Sequence, residues 1–147
     1  VGLGGRTEAV RCSGAGGMKI RTLREDETFP QHLGTGFESM PVMKSYCWIA
    51  EHEGRIVGIL MAAPCHGLVY IVRLRVEEMA PTITAALLFR NFIRDVKQMG
   101  FVGYFTHVDP SRESERSMIP ICRKAKGLQI AMMQIPLAGS IQEAARF

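Results

Sequence analysis

The sequence predicts an α/β chain of the α+β kind: a mixed, mostly antiparallel twisted sheet flanked by helices, with one parallel strand pair. Three observations predict it. Three strand-like runs follow one another between Tyr46 and Val76 with only turns between them. A long amphipathic helix follows at once, from about Pro81 to Met99. Another strand-like run, Phe101 to Val108, comes directly after the helix, and a strand reached through a helical crossover lies parallel to the one before it.

Each element has its local reason. Residues 1–17, VGLGGRTEAVRCSGAGG, are glycine-rich and aperiodic. They read as an arm ahead of a single domain over 18–147, either an added leader or a flexible native segment. Lys19 to Leu23 is a first strand. Glu25, Asp26 and Glu27 suit the first turn of a helix, which Pro30, Gly34 and Gly36 keep short or broken. Phe37, Met40, Val42 and Met43 suggest a second short helix or a lid.

Tyr46 to Glu51 is rich in strand formers, Glu53-Gly54-Arg55 is a tight turn, and Ile56 to Met61 returns as the partner strand. After a turn at Pro64 to Gly67, the run from Leu68 to Val76 alternates. Leu68, Tyr70, Val72, Leu74 and Val76 fall on one face, with Val69, Ile71, Arg73 and Arg75 on the other. In the helix, Ala85, Leu88, Phe89, Phe92, Val96 and Met99 share one side. Arg90, Asn91, Arg94, Asp95, Lys97 and Gln98 share the opposite one. Pro81 suits its first turn and Gly100 its end. A charged helix from Ser111 to about Lys126, interrupted at Pro120, a strand over Leu128 to Leu137 and a short helix over Ser140 to Phe147 complete the order.

Composition narrows the function classes. With 147 residues, 47% apolar and 22% charged, the chain has the profile of a globular domain. A net charge of +4 fits an anionic ligand but carries none of the basic clustering that nucleic-acid binding requires. Cys12, Cys47, Cys65 and Cys122 lie far apart, so a metal site is not expected; they read as reduced, mostly buried thiols of a cytoplasmic protein. No apolar run is long enough to span a bilayer.

The strand-to-helix junction, Met79-Ala80-Pro81-Thr82-Ile83-Thr84, is where unpaired backbone N–H groups and the helix dipole favour an anion. The order of elements resembles the GNAT superfamily of acyl-CoA-dependent N-acetyltransferases. Ile49-Ala50-Glu51-His52-Glu53-Gly54-Arg55-Ile56-Val57-Gly58 is similar to that family's second and third strands. Arg123-Lys124-Ala125-Lys126-Gly127-Leu128 is similar to the end of its last helix.

The resemblance implies that the parallel strands splay and that acetyl-CoA enters the gap, held by the backbone from Leu74 to Val76. It implies a pyrophosphate loop at Met79, Thr82, Ile83 and Thr84. Met79 replaces the family's Gln or Arg, and Thr82 and Thr84 replace its glycines. Arg123 stands where many members carry a proton-donating tyrosine; a guanidinium there stabilises thiolate charge but does not give up its proton. The resemblance further implies a base, His107 or Glu51 acting through water, an acceptor that is a small-molecule amine or a protein amino group, and a possible homodimer through the last strands. The departures imply the alternative: a fold that has lost CoA chemistry and serves as a binding or assembly module.

Overall fold

The computed structural model describes residues 8–10, 17–35, 42–108, 111–116, 119–120 and 123. The chain forms two compact units, residues 1–107 and 108–147. Strand β1 is Glu8–Val10, β2 Met18–Thr22, β3 Cys47–His52, β4 Arg55–Cys65, β5 Leu68–Val76 and β6 Gly103–Thr106; helix α1 is Thr84–Gln98. The second unit contributes a short helix, α2, Glu113–Arg116, and helical residues 119, 120 and 123. The expected strand over Leu128 to Leu137 and the terminal helix lie outside the described residues.

The six strands stand in chain order in one sheet. Every neighbouring pair is antiparallel except β5 and β6, which are parallel, as the crossover requires. Both central hairpins close over two residues with positive φ, Glu53 and Gly54 in one and His66 and Gly67 in the other. That is the turn whose twist matches the strands, and it favours Asn followed by Gly. Glu53, at φ 51°, carries the steric cost of the left-handed region. Glu53→Asn should therefore raise stability by up to about 1 kcal/mol, read as a higher urea midpoint at unchanged slope.

The core has two layers, one on each sheet face. On one face α1 lays Leu87, Leu88, Phe92 and Val96 against Ile20, Trp48, Ala50, Leu60, Val69 and Ile71. Phe92 meets Trp48 edge-to-face at 5.1 Å, and the Trp48 indole N–H donates to Asp95 Oδ2 at 2.8 Å. On the other face Leu23, Leu33, Cys47, Ile49, Ile59 and Met61 form the second layer, with Phe29, Val42, Ile56 and Val72 packed on it.

Several expectations need correction. Residues 8–10 join the sheet as β1, inside the segment read as an arm, because three residues are too few to show a period. Residues 25–30 form a turn, with no α-helix. Glu27 is occupied instead by Arg21, whose guanidinium grips both carboxylate oxygens at 2.6 and 2.7 Å, and by the Arg24 N–H at 2.7 Å. A short 3-10 turn at Gln31–Leu33 stands in the region of the first broken helix, and another at Lys44–Tyr46 follows Met43; Phe37 and Met40 of the expected second helix or lid lie outside the described residues. Helix α1 begins at Thr84, three residues later than Pro81 suggests. Asn91, placed on the polar side, is only 2% exposed and donates to the Leu87 carbonyl. Of the cysteines described, Cys47 is buried and Cys65 is exposed. No helix among the described residues is long and apolar enough to cross a membrane.

Candidate functional site

Two irregularities build the site. Met61 faces Arg73 and Ala62 faces Ile71, which leaves Val72 as an extra residue in β5. A bulge of this kind bends a strand and re-aims the side chains beyond it. Val69 and Ile71 face α1; after the bulge Leu74 and Val76 do so, while Val72 belongs to the opposite layer. The strict alternation expected along β5 therefore fails at Val72.

The pairing of β5 with β6 stops at the same place. Leu68, Val69, Tyr70 and Ile71 pair with Gly103 to Thr106, and no described strand pairs with β5 beyond Ile71 on that side. The carboxyl half of β5, residues 72–76, thus has one backbone edge that no described strand pairs. Leu74 and Val76, assigned to acyl-donor binding in the sequence, lie in this half.

This half of β5 leads to the junction with α1. Gly58 of β4 lets the helix approach: a Cβ there would sit 3.0 Å from Thr84 Cγ2, 3.1 Å from Leu88 Cδ1 and 3.4 Å from Val76 Cγ2. Thr84 is fully buried, and its hydroxyl donates to the Pro81 carbonyl at 2.6 Å, so the side chain itself is spent inside the fold. Its N–H also bonds Pro81 O, at 3.0 Å. The backbone N–H groups of Thr82, Ile83, Ala85 and Ala86 bond no acceptor among the described residues. Thr82 and Ile83 are exposed, and Met79 is 92% exposed. Four N–H groups without an acceptor among the described residues, at the positive end of a 15-residue helix, suit an anion.

Glu77 and Glu78 precede the junction, where negative charge would oppose a phosphate. Glu77 is turned away and offset: its Oε1 accepts from Arg55 Nη2 at 2.6 Å and lies 3.4 Å from His32 Nε2. Its N–H donates to Val57 O. Glu78 is exposed.

The two base candidates sit apart in the topology. Glu51 is the penultimate residue of β3, two strands from β5, and its Oε2 accepts from Arg21 Nε at 2.8 Å. His107 follows β6 and is exposed. His52 is half-buried with no partner for Nδ1 among the described residues. Arg123 is exposed in the second unit. Among the described residues no group of acidic, histidine or cysteine side chains could hold a metal.

Sequence reasoning passed over His32. It stands in the 3-10 turn Gln31–Leu33 with Nε2 2.9 Å from the Ile56 carbonyl. Two residues on, the Gly34 carbonyl accepts from Arg73 Nη1. The segment from His32 to Gly34 therefore spans residues 73–77 at the carboxyl end of β5. Nothing in a lone histidine beside Leu33 signals this, because the contacts are 24 or more residues away in sequence.

No protein-family model and no curated protein sequence matches the chain. Solved structures do. The aminoglycoside acetyltransferase AAC(6′)-Iy, bound to a CoA-S-monomethyl-acetylneamine bisubstrate analogue, is similar with a TM-score of 0.61 at 12% identity, over 84% of this chain and 99% of that one. The diaminobutyrate acetyltransferase EctA of Paenibacillus lautus, bound to L-2,4-diaminobutyric acid and coenzyme A, matches at 0.58 and 20%, over 77% and 78%. The aminoglycoside acetyltransferase HMB0005, from an uncultured soil metagenomic sample, matches at 0.52 and 20%. This chain covers 65% of HMB0005 and 64% of itself in that match. A mixed sheet with a bulged strand whose parallel pairing ends at Ile71, a helix seated on it and these likenesses together give the chain a GNAT-like fold.

Proposed function

We propose that the chain is an acetyl-CoA-dependent N-acetyltransferase that acetylates an amine of a small molecule or a protein amino group. The observation that supports it most is the release of β5 from β6 at the Val72 bulge, which runs directly into the unpaired N–H groups of α1. A strand edge bonds an extended amide-bearing chain such as pantetheine, and a helix N-terminus holds a pyrophosphate. Backbone from Leu74 to Val76 takes the first role. The N–H groups of Thr82 and Ile83 take the second, with backbone in place of the glycine-rich loop.

In this reading acetyl-CoA supplies a thioester as co-substrate. The chain orients it, and a β5 backbone N–H polarises the acyl oxygen as the amine adds. The threonines that replace glycines leave backbone donors available, since Thr84 folds its side chain inward. A module that has lost CoA chemistry is the second reading, and it draws on Met79 and on the arginine at 123.

A thermal-shift titration separates the two. Acetyl-CoA at 100 times its dissociation constant should stabilise the native state by about 2.7 kcal/mol, raising the melting temperature by several degrees. Thr82→Asp sets a carboxylate at an exposed site that tolerates it and should remove most of that shift while the unliganded melting temperature holds. No shift with millimolar acetyl-CoA would sink the enzyme reading.

A further inference from the structure

We infer that Arg75, with Arg73 beside it, selects as acceptor a small amino acid, an amine that carries a carboxylate. This rests on the acetyltransferase reading and names the acceptor class within it. Arg73 stands opposite Met61 and Arg75 opposite Ile59 in the register of β4 with β5, and side chains directly opposite each other share a sheet face. Met61 and Ile59 belong to the layer away from α1, so both arginines lie on that face. Leu74 and Val76, which alternate with them, face α1. Arg73 is half-buried and donates to the Gly34 carbonyl. Arg75 is exposed, and its side chain makes no hydrogen bond or ion pair among the described residues.

The path of the acyl donor places these arginines at the acceptor side. With pyrophosphate at Thr82 and Ile83 and pantetheine along Leu74 to Val76, the arm runs from the α1 junction back towards Val72, next to where the pairing of β5 with β6 ends. The acyl group then lies beside Val72 and Arg73. Helix α1 closes one face of this edge, which leaves the face of Val72, Arg73 and Arg75 for the acceptor. Arg75 sits on the strand that holds the arm, about 7 Å along it from Arg73. The segment from His32 to Gly34 reaches this end of β5 at residues 73 and 77, on either side of Arg75 in the strand.

The described carboxylates nearby are already matched. Glu77, at the end of β5, is offset by Arg55, and Glu27 and Glu51 are held by Arg21 of β2. Arg75 therefore presents a planar fork of N–H donors that a carboxylate accepts in parallel. The same cation repels an acceptor that carries ammonium groups alone. A carboxylate held at Arg75 sets the amine of the same molecule towards the acyl carbon, so one contact both recognises and orients the acceptor.

The test uses the whole chain with acetyl-CoA and two matched pairs of amines, following release of the CoA thiol. L-2,4-diaminobutyrate is set against 1,3-diaminopropane, and L-lysine against cadaverine; each pair differs by one carboxylate. The wild type should favour the amino acid in kcat/KM by roughly tenfold in at least one pair, as a charge-assisted hydrogen bond allows. Arg75→Gln should bring that ratio to about one by raising KM for the amino acid, with KM for acetyl-CoA within about twofold, and Arg75→Glu should reverse it. Arg75→Lys should keep part of the preference, a contrast with Arg75→Gln that a merely structural role would not produce. A wild type without the preference, or a preference that survives Arg75→Gln, overturns the assignment. Transfer to none of the four amines also overturns it. An acetyl-CoA thermal shift in that protein would leave the acetyltransferase reading standing, and its absence would take that reading down as well.

Discussion

Gly58→Val should cost the fold about 3 kcal/mol and with it the acetyl-CoA-dependent thermal shift. The added carbons enter a space where even a Cβ would lie 3.0 to 3.4 Å from Thr84, Leu88 and Val76. Overfilling a packed site typically costs about 1–3 kcal/mol, and a β-branched side chain falls at the upper end. Relief requires α1 to lift from β4 or Val76 to move in β5. Either displacement separates the helix N-terminus from the free strand edge. Urea unfolding measures the first loss and acetyl-CoA titration the second. Gly58→Ala should show a smaller stability loss with partial ligand response. A Gly58→Val protein with wild-type stability would mean that α1 does not seat on Gly58.

Arg21→Leu should lower stability by about 2–3 kcal/mol at neutral pH by stranding two carboxylates in the layer opposite α1. Arg21, Glu27 and Glu51 have side chains only 10%, 18% and 25% exposed, which keeps solvent from replacing the lost partner fully. The hydrogen bond from Arg21 is the largest cause that holds the Glu27 carboxyl down from 4.5 to about 2, against the opposing effect of burial; the Arg24 N–H adds to it. The Arg21 guanidinium is raised in turn, chiefly by Glu27. Because the folded-state value of Glu27 is depressed, its contribution is whole above pH 4.5 and is lost as pH falls through about 2. Stability of the wild type should decline across that window, and the Arg21→Leu curve should be flatter there. Equal slopes for the two proteins would show that the ion cluster does not set acid stability.

The strands of the meander were legible from their runs of strand formers between turns, and the buried side of α1 from its helical period. Leu88 and Phe92 reveal their face from spacing alone, whereas Trp48 and Ile49 are both buried and show no period. The fold class followed from the order of those elements, and the parallel pair from the crossover.

The functional details were hidden for a common reason. Val72 is an extra residue only by reference to Met61 and Ala62 on another strand, so no property of β5 by itself reveals the bulge. Val57 is extra in the same way against Ala50 and Glu51. The threonines at the junction read as substitutes for glycine; the structure buries one of them and leaves the neighbouring amides bare. His32 acquires meaning from Ile56 and Glu77, and Glu27 from Arg21, across distances in sequence that spacing cannot bridge.

The chain-order sheet gives α1 a metric duty. Tight turns join β3 to β4 and β4 to β5, whereas β6 must begin opposite Leu68 after the chain has left β5 at Val76. Nine strand residues advance about 30 Å, and fifteen helical residues return about 22 Å, with the flanking turns making up the rest. The length of α1 thus sets where β6 joins β5, and hence how much of β5 stays open. One helical turn more or less would move that point by about 5 Å, between one and two strand residues. The size of the opening is written in the helix that closes its far side.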